Sequence, residues 1–260
     1  MRRLIPVLLL LIVAVSVSAQ EEGIFGDVII RCNNVDADVL ASIRFQQTSS
    51  TARYVVQVYG LDGLQPAFAW QTTFPDDLEP CREGVPVEDV TITLGDETIS
   101  EGVQRAELTI DTDTNLQTIS IAFASLNGTR GRFIAFIDGF ALETPGDQYR
   151  LELDAGAYAI AETPLLMYML KTDPDSRLDP QIEVSATEQT CDDTGRRGCE
   201  NVPYADNYAI HDGLFSLTGG RFDAGYQIAV GDLNAYTLLV GSRGGRTSGS
   251  YALMFVGAVR

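Results

Sequence analysis

The chain has 260 residues, 45% of them hydrophobic and 21% charged, a composition that fits a globular protein and neither a disordered nor a fibrous one. Eighteen Lys and Arg stand against 36 Asp and Glu, a formal net charge of -18, and Lys171 is the only lysine. A chain this acidic is repelled by phosphate backbones and anionic lipid, which argues against nucleic acid and membrane surfaces as partners, and the single histidine, His211, argues against any site that needs two imidazoles.

Residues 1–19 read as a secretory signal peptide. Arg2 and Arg3 form a positive start, Leu4 to Val15 is an apolar run interrupted by Pro6, and Val17-Ser18-Ala19 supplies small residues for cleavage. The run is too short to cross about 30 Å of hydrocarbon comfortably. No cysteine follows it as in a lipoprotein, and no later stretch approaches the length of a membrane span. The expected location is secreted, either extracellular or periplasmic, with no stable membrane insertion.

Export makes disulfides the default reading of the four cysteines. Cys191 and Cys199 bracket a polar, glycine-containing loop that can fold back on itself, so the expected pairs are Cys191–Cys199 and Cys32–Cys81. Zinc is disfavoured because no C-x-x-C occurs and His211 would be the only imidazole.

Short runs rich in Val, Ile, Leu, Tyr and Phe follow, divided by Gly, Asp, Asn and Pro, and they predict strands almost throughout. In chain order these are Arg53 to Tyr59, Ala67 to Trp70, Glu107 to Ile110, Ile119 to Ala124, Gly131 to Ile137, Gln148 to Leu153, Gln181 to Val184, Gly225 to Val230, Thr237 to Ser242 and Gly249 to Met254. Asn127-Gly128 is a strong tight-turn signal and predicts a hairpin between Ile119 and Ile137. No window carries a helical stripe, so the fold class is all-β.

An internal repeat organises the strands. Leu64-Gln65-Pro66 before Ala67 to Trp70 matches Leu178-Asp179-Pro180 before Gln181 to Val184. Ser120 to Ser125 matches Thr237 to Ser242, and Gly131 to Phe136 matches Gly249 to Met254. The separations are 114, 117 and 118 residues. The expectation is two tandem antiparallel β-sandwiches, residues 20–144 and 145–260, with the boundary near Thr144-Pro145-Gly146-Asp147.

The second half carries five segments in order: Asp147-Gln148-Tyr149-Arg150-Leu151, Leu178-Asp179-Pro180-Gln181-Ile182, Asp192-Asp193, Gly225-Tyr226-Gln227-Ile228-Ala229-Val230 and Gly249-Ser250-Tyr251-Ala252-Leu253. Over residues 147–257 this resembles the bacterial pre-peptidase C-terminal domain (PPC), a secreted jelly-roll-like β-sandwich. The first half resembles a degenerate copy, with Gln65 in place of the motif's acidic residue. The resemblance implies an accessory, non-catalytic role, since such domains flank secreted hydrolases and some bind calcium or matrix polymers. The expected departure from that pattern is that no catalytic domain accompanies the two sandwiches within these 260 residues.

Hydrolase signatures are missing: no G-x-S-x-G, H-E-x-x-H or phosphate-cradling glycine loop occurs, and no serine is marked as a partner for His211. Calcium fits better, because it takes carboxylate and carbonyl oxygens from irregular loops. The expected ligands are Asp192 and Asp193 in the cysteine-bracketed loop with Asp206 downstream, and Asp173, Asp175 and Asp179 in the turn before Pro180; the competing reading is that Asp simply favours turns. Asp111-Thr112-Asp113 begins like a calcium loop but lacks the glycine and final glutamate of one. Trp70, Tyr204, Tyr208 and Tyr236 are candidates for stacking on sugars, against a core role. The expected function is a secreted, non-catalytic accessory or binding protein for an extracellular polysaccharide or protein, calcium-stabilised. The alternatives are a carbohydrate-binding module and an undetected secreted hydrolase.

Overall fold

β-Branched and aromatic residues dominate the strands of the computed structural model, as their preference for a pleated, packed surface requires. The structure describes residues 32, 37–47, 52–72, 81–88, 90–94, 97–112, 118–154, 165–173, 175–186, 205–206, 224–228 and 235–259. Apart from one 3-10 turn at Arg243–Gly245, the regular elements among them are strands. The first half supplies β1 (Ala37–Gln46), β2 (Ala52–Gly60), β3 (Pro66–Thr72), β4 (Arg82–Glu83), β5 (Val85–Pro86), β6 (Ile92–Leu94), β7 (Glu97–Ile99), β8 (Gln104–Thr112), β9 (Thr118–Leu126) and β10 (Gly131–Leu142). The second supplies β11 (Gln148–Asp154), β12 (Leu165–Lys171), β13 (Pro180–Ala186), β14 (Ala205–Asp206), β15 (Ala224–Ile228), β16 (Ala235–Ser242) and β17 (Gly249–Val259). The expected all-β sandwich architecture is what the chain forms.

Two antiparallel sheets build the sandwich, and both run through the two halves. The eight-stranded sheet has the order β14-β13-β16-β11-β1-β9-β3-β4, and the seven-stranded sheet β15-β12-β17-β10-β2-β8-β5. Matching β1 with β11, β2 with β12, β3 with β13, β4 with β14, β8 with β15, β9 with β16 and β10 with β17 makes each order a palindrome about its centre, β5 apart. The halves are thus related by a pseudo-two-fold axis that passes between β1 and β11 in one sheet and between β10 and β17 in the other. Phe136 and Met254, equivalent by the 118-residue separation, are register partners on that axis. The Thr144 to Asp147 segment is the turn from β10 into β11, closed by the Thr144 backbone N–H and hydroxyl, which donate to the Asp147 carboxylate at 2.6 and 2.7 Å.

The core between the sheets is one cluster drawn from both halves. It includes Leu40, Ile43, Phe45, Tyr54, Val56, Phe123 and Phe133 from the first and Leu151, Met167, Ile182, Leu238, Leu253 and Phe255 from the second. Phe140 stacks on Tyr251 across the seam at 5.2 Å with an interplanar angle of 15°, and packs edge-on to Phe45 at 5.0 Å. A second cluster lies on the outer face of the seven-stranded sheet, where Tyr59, Ile134, Phe136, Tyr168, Met254 and Val256 are buried together with Ile92 and Val103. Leu94 and Ile99, of the β6–β7 hairpin, pack against that cluster. The seven-stranded sheet therefore buries both faces, and this is why β10 and β17 read as continuous apolar runs rather than strict alternations.

Two devices shape the first half. Arg82 and Glu83 pair with β3, while Val85 and Pro86 pair with β8. The segment crosses between sheets at Gly84, whose N–H donates to the Pro66 carbonyl at 2.7 Å; a Cβ there would collide with the Pro66 ring. Beside it, Cys32 and Cys81 form the expected disulfide, with Cα atoms 5.0 Å apart, packed against Ala67 and Leu126.

Tyr251 is fully buried, and among the described residues its hydroxyl has no hydrogen-bond partner. The first half carries Phe133 at the equivalent place. An orphaned buried hydroxyl costs free energy that a phenyl ring of the same shape does not. Tyr251→Phe is accordingly expected to be neutral or to stabilise by up to about 1 kcal/mol, whereas Tyr251→Ala should cost about 3–5 kcal/mol; denaturant titration of the two variants checks both.

Candidate functional site

Loops carry most binding chemistry in β-sandwiches, and this fold displays two related loop pairs at opposite ends. The first joins the β2–β3 turn, Leu61 to Gln65, to the β9–β10 turn, Asn127 to Arg130. The second joins the β12–β13 turn, Thr172 to Asp179, to the β16–β17 turn, Arg243 to Ser248. Each pair is held by the same three bonds. The Gln65 N–H donates to the Thr129 hydroxyl at 2.9 Å, and the Asp179 N–H to the Thr247 hydroxyl at 3.0 Å. The Leu126 N–H donates to the Gln65 carbonyl at 2.9 Å, and the Arg243 N–H to the Asp179 carbonyl at 2.8 Å. The Leu61 N–H donates to the Arg132 carbonyl at 2.9 Å, and the Thr172 N–H to the Ser250 carbonyl at 3.3 Å. Gly131 and Gly249, at φ of 144° and 152°, let the turns approach; a Cβ would strike the Leu61 carbonyl in one and the Ser176 hydroxyl in the other.

On that common frame the two ends differ. The second turn is three residues longer, and Lys171 stands where the first half has Gly60. Its side chain is buried beneath the longer turn and donates to the Ser176 carbonyl at 3.2 Å. Gly60 has no such room, since a Cβ there would meet the Pro66 ring at 2.7 Å. The first end has its own tie, an ion cluster on Arg132. The guanidinium grips Asp62 at 2.6 and 3.0 Å and Glu97 at 2.5 and 3.0 Å, linking the β2–β3 turn, the β6–β7 hairpin and the start of β10. Its hydrogen bonds hold the carboxyls of Asp62 and Glu97 below the usual carboxylate range, against a smaller opposing effect of desolvation.

The proposed calcium ligands fall in different places. Asp173, Asp175 and Asp179 share the second turn, where an Asp173 carboxylate oxygen accepts the Asp175 N–H at 2.9 Å, and the Asp179 backbone serves the frame just described. Asp206 lies on β14, its backbone paired opposite Gln181. Asp192 and Asp193 lie outside the described residues, as do Cys191, Cys199, His211, Tyr204 and Tyr208. Among the described residues no group of three or more His, Cys, Asp or Glu side chains converges on a point where a metal could sit. Asp111 belongs to β8, where it pairs with Arg53 at 3.7 Å, and Thr112 bonds the Ala52 backbone. Of the candidate stacking aromatics, Tyr236 is buried in the core and Trp70 packs against it half-buried.

No motif in the sequence singled out Thr129 and Thr247, the burial of Lys171 or the acid partners of Arg132. The threonines were within reach, since they sit at the same 118-residue separation as Gly131 and Gly249. The Arg132–Glu97 contact joins positions 35 apart and leaves no local signal. The chain matches no family model, no curated protein and no solved structure. Among the described residues no helix is long and apolar enough to cross a membrane.

The Arg132 cluster predicts a pH signature. Carboxyls depressed in the folded state contribute stability that is present above their unfolded pKa values, about 3.9–4.3, and lost as pH falls through the lower folded values. Arg132→Met should therefore melt below the wild type at neutral pH, and the gap should close as pH falls below about 4. Thermal melts of both proteins from pH 7 to pH 2.5 measure it, and a pH-independent gap would mean that packing of the Arg132 stem, not charge, is what the substitution removes.

Proposed function

We propose that this is a secreted, non-catalytic binding protein that uses the two loop pairs of its fused β-sandwich to engage an extracellular polysaccharide or protein. The observation that carries the reading is the common frame with divergent surfaces. Six equivalent hydrogen bonds hold two loop pairs in the same geometry, while the exposed side chains differ: Asp62, Asn127 and Arg130 at one end, Asp173, Asp175, Arg177, Arg243 and Arg246 at the other. A rigid scaffold with variable loops suits presentation of a contact surface. The Cys32–Cys81 bridge and the apolar amino-terminal segment support an oxidising, extracytoplasmic location. The likeness to PPC-type domains supports an accessory role in the same setting.

A carbohydrate-binding module is the second reading, favoured by the outer face of the eight-stranded sheet. Gln46, Gln148, Arg150 and Glu183 are exposed there, and Arg150 reaches Glu152 at 3.5 Å and Thr237 at 3.4 Å, a surface of donors and acceptors suited to hydroxyls. Retention on insoluble cellulose, chitin and peptidoglycan separates the two. Loss of retention in Arg243→Ala/Arg246→Ala supports the loops, loss in Arg150→Ala/Glu152→Ala supports the sheet face, and turnover in a glycosidase and peptidase screen would overturn both.

Calcium belongs to this proposal through Asp192 and Asp193. An ion bound only to the folded form stabilises it by about 2.7 kcal/mol at a hundredfold excess over Kd. Millimolar calcium is expected to raise Tm, Asp192→Ala/Asp193→Ala to abolish most of the gain, and Asp111→Ala/Asp113→Ala to leave it intact. Magnesium at equal ionic strength is the control, because screening of surface charge treats the two ions alike.

A further inference from the structure

We infer that Asn127 is a site of spontaneous deamidation and that the Gln65 side chain gates the reaction. Of the chain's seven asparagines, Asn127 alone is followed by glycine, whose missing Cβ leaves its backbone nitrogen open to approach the asparagine side chain. Both residues are exposed at the tip of the β9–β10 hairpin. Their φ angles of 55° and 63° make the tight turn, closed by the Thr129 N–H on the Leu126 carbonyl at 3.0 Å. In the reaction the deprotonated Gly128 nitrogen attacks Asn127 Cγ. A new N–Cγ bond closes a five-membered imide, the Cγ–Nδ2 bond breaks, and ammonia leaves with the displaced proton. Solvent water then opens either imide carbonyl, giving aspartate or isoaspartate, and nothing is oxidised or reduced.

Gln65 stands in the way of that attack. Asn127 Nδ2, the leaving group, donates to Gln65 Oε1 at 2.9 Å. The carboxamide must abandon this bond before Cγ can turn onto the Gly128 nitrogen, and Gln65 is itself fixed by its backbone bonds to Thr129 and Leu126. Either product removes the donor. Aspartate sets a carboxylate against an amide oxygen, and isoaspartate adds a methylene to the backbone of a turn that has no slack. The first loop pair loosens in consequence, while the Arg243–Gly245 turn of the second contains no asparagine and cannot age by this route.

The test is peptide mapping of purified protein held at pH 8.5 and 37 °C, native and in denaturant, for wild type, Gln65→Ala and Gln65→Glu, with a thermal melt of each to establish that it folds. Conversion at Asn127 is expected ahead of every other asparagine. In the native state Gln65→Ala should react faster than wild type by about fivefold, the factor for one lost hydrogen bond of ~1 kcal/mol, and Gln65→Glu, which keeps an acceptor, should react at about the wild-type rate. In denaturant the three should be equal. Absence of conversion at Asn127 in the denatured chain would overturn the site, and equal native rates in wild type and Gln65→Ala would overturn the gate. Should Gln65→Ala fail to fold, a native wild-type rate equal to the denatured rate would overturn the gate as well.

Discussion

The antiparallel seam between β10 and β17 is the constraint on which the rest of the molecule depends. Eleven register pairs run from Gly131↔Val259 to Leu142↔Gly249, and the other sheet is joined likewise by the antiparallel pairing of β1 with β11. Without the seam each half would present unpaired backbone groups on two edges and an open side of core, with Phe140 parted from Tyr251. The seam also tolerates one irregularity. Its register shifts between Asp138 and Phe140, where Gly139 adopts a φ of 113° and lies so close to Arg53 that a Cβ would strike its carbonyl. Burial pushes the Asp138 carboxyl up, and donation from the Gly139 N–H opposes it. A bulge of this kind bends the strand and increases its local twist.

Much of this architecture was legible in the sequence, for identifiable reasons. Turn chemistry is local, so Asn127-Gly128, Pro66, Pro180, Gly131 and Gly249 announced the repeat and its register. The joining of the halves through both sheets was less legible, because strand pairing between β10 and β17 depends on residues more than a hundred positions apart. One trace of it was present: Phe133-Ile134-Ala135-Phe136-Ile137 and Tyr251-Ala252-Leu253-Met254-Phe255 scarcely alternate, as strands buried on both faces do not.

The loop ends were legible only in part. Asp173, Asp175 and Asp179 stood out as carboxylates, yet the Asp173 carboxylate accepts the Asp175 N–H within the turn, the ordinary business of Asp in loops, and Asp179 joins the frame through its backbone N–H on Thr247. What distinguishes the ends is volume: a turn three residues longer needs something beneath it, and Lys171 supplies both bulk and a donor where Gly60 supplies neither. Such a match between side-chain length and loop length exists only in three dimensions. The Arg132 grip on Asp62 and Glu97 is of the same kind, assembled from three elements that the chain order keeps apart.

The burial of Lys171 also decides what reagents the folded surface can meet. As the only lysine, it keeps the sole side-chain ammonium out of reach, so amine-directed acylation, glycation and lysine-mediated cross-linking find no side chain to attack on the folded protein. Apart from His211, the other basic side chains are arginines, whose guanidinium groups stay protonated and are poor nucleophiles. Reagents that act on side-chain amines would therefore leave the charge pattern of the folded protein unchanged.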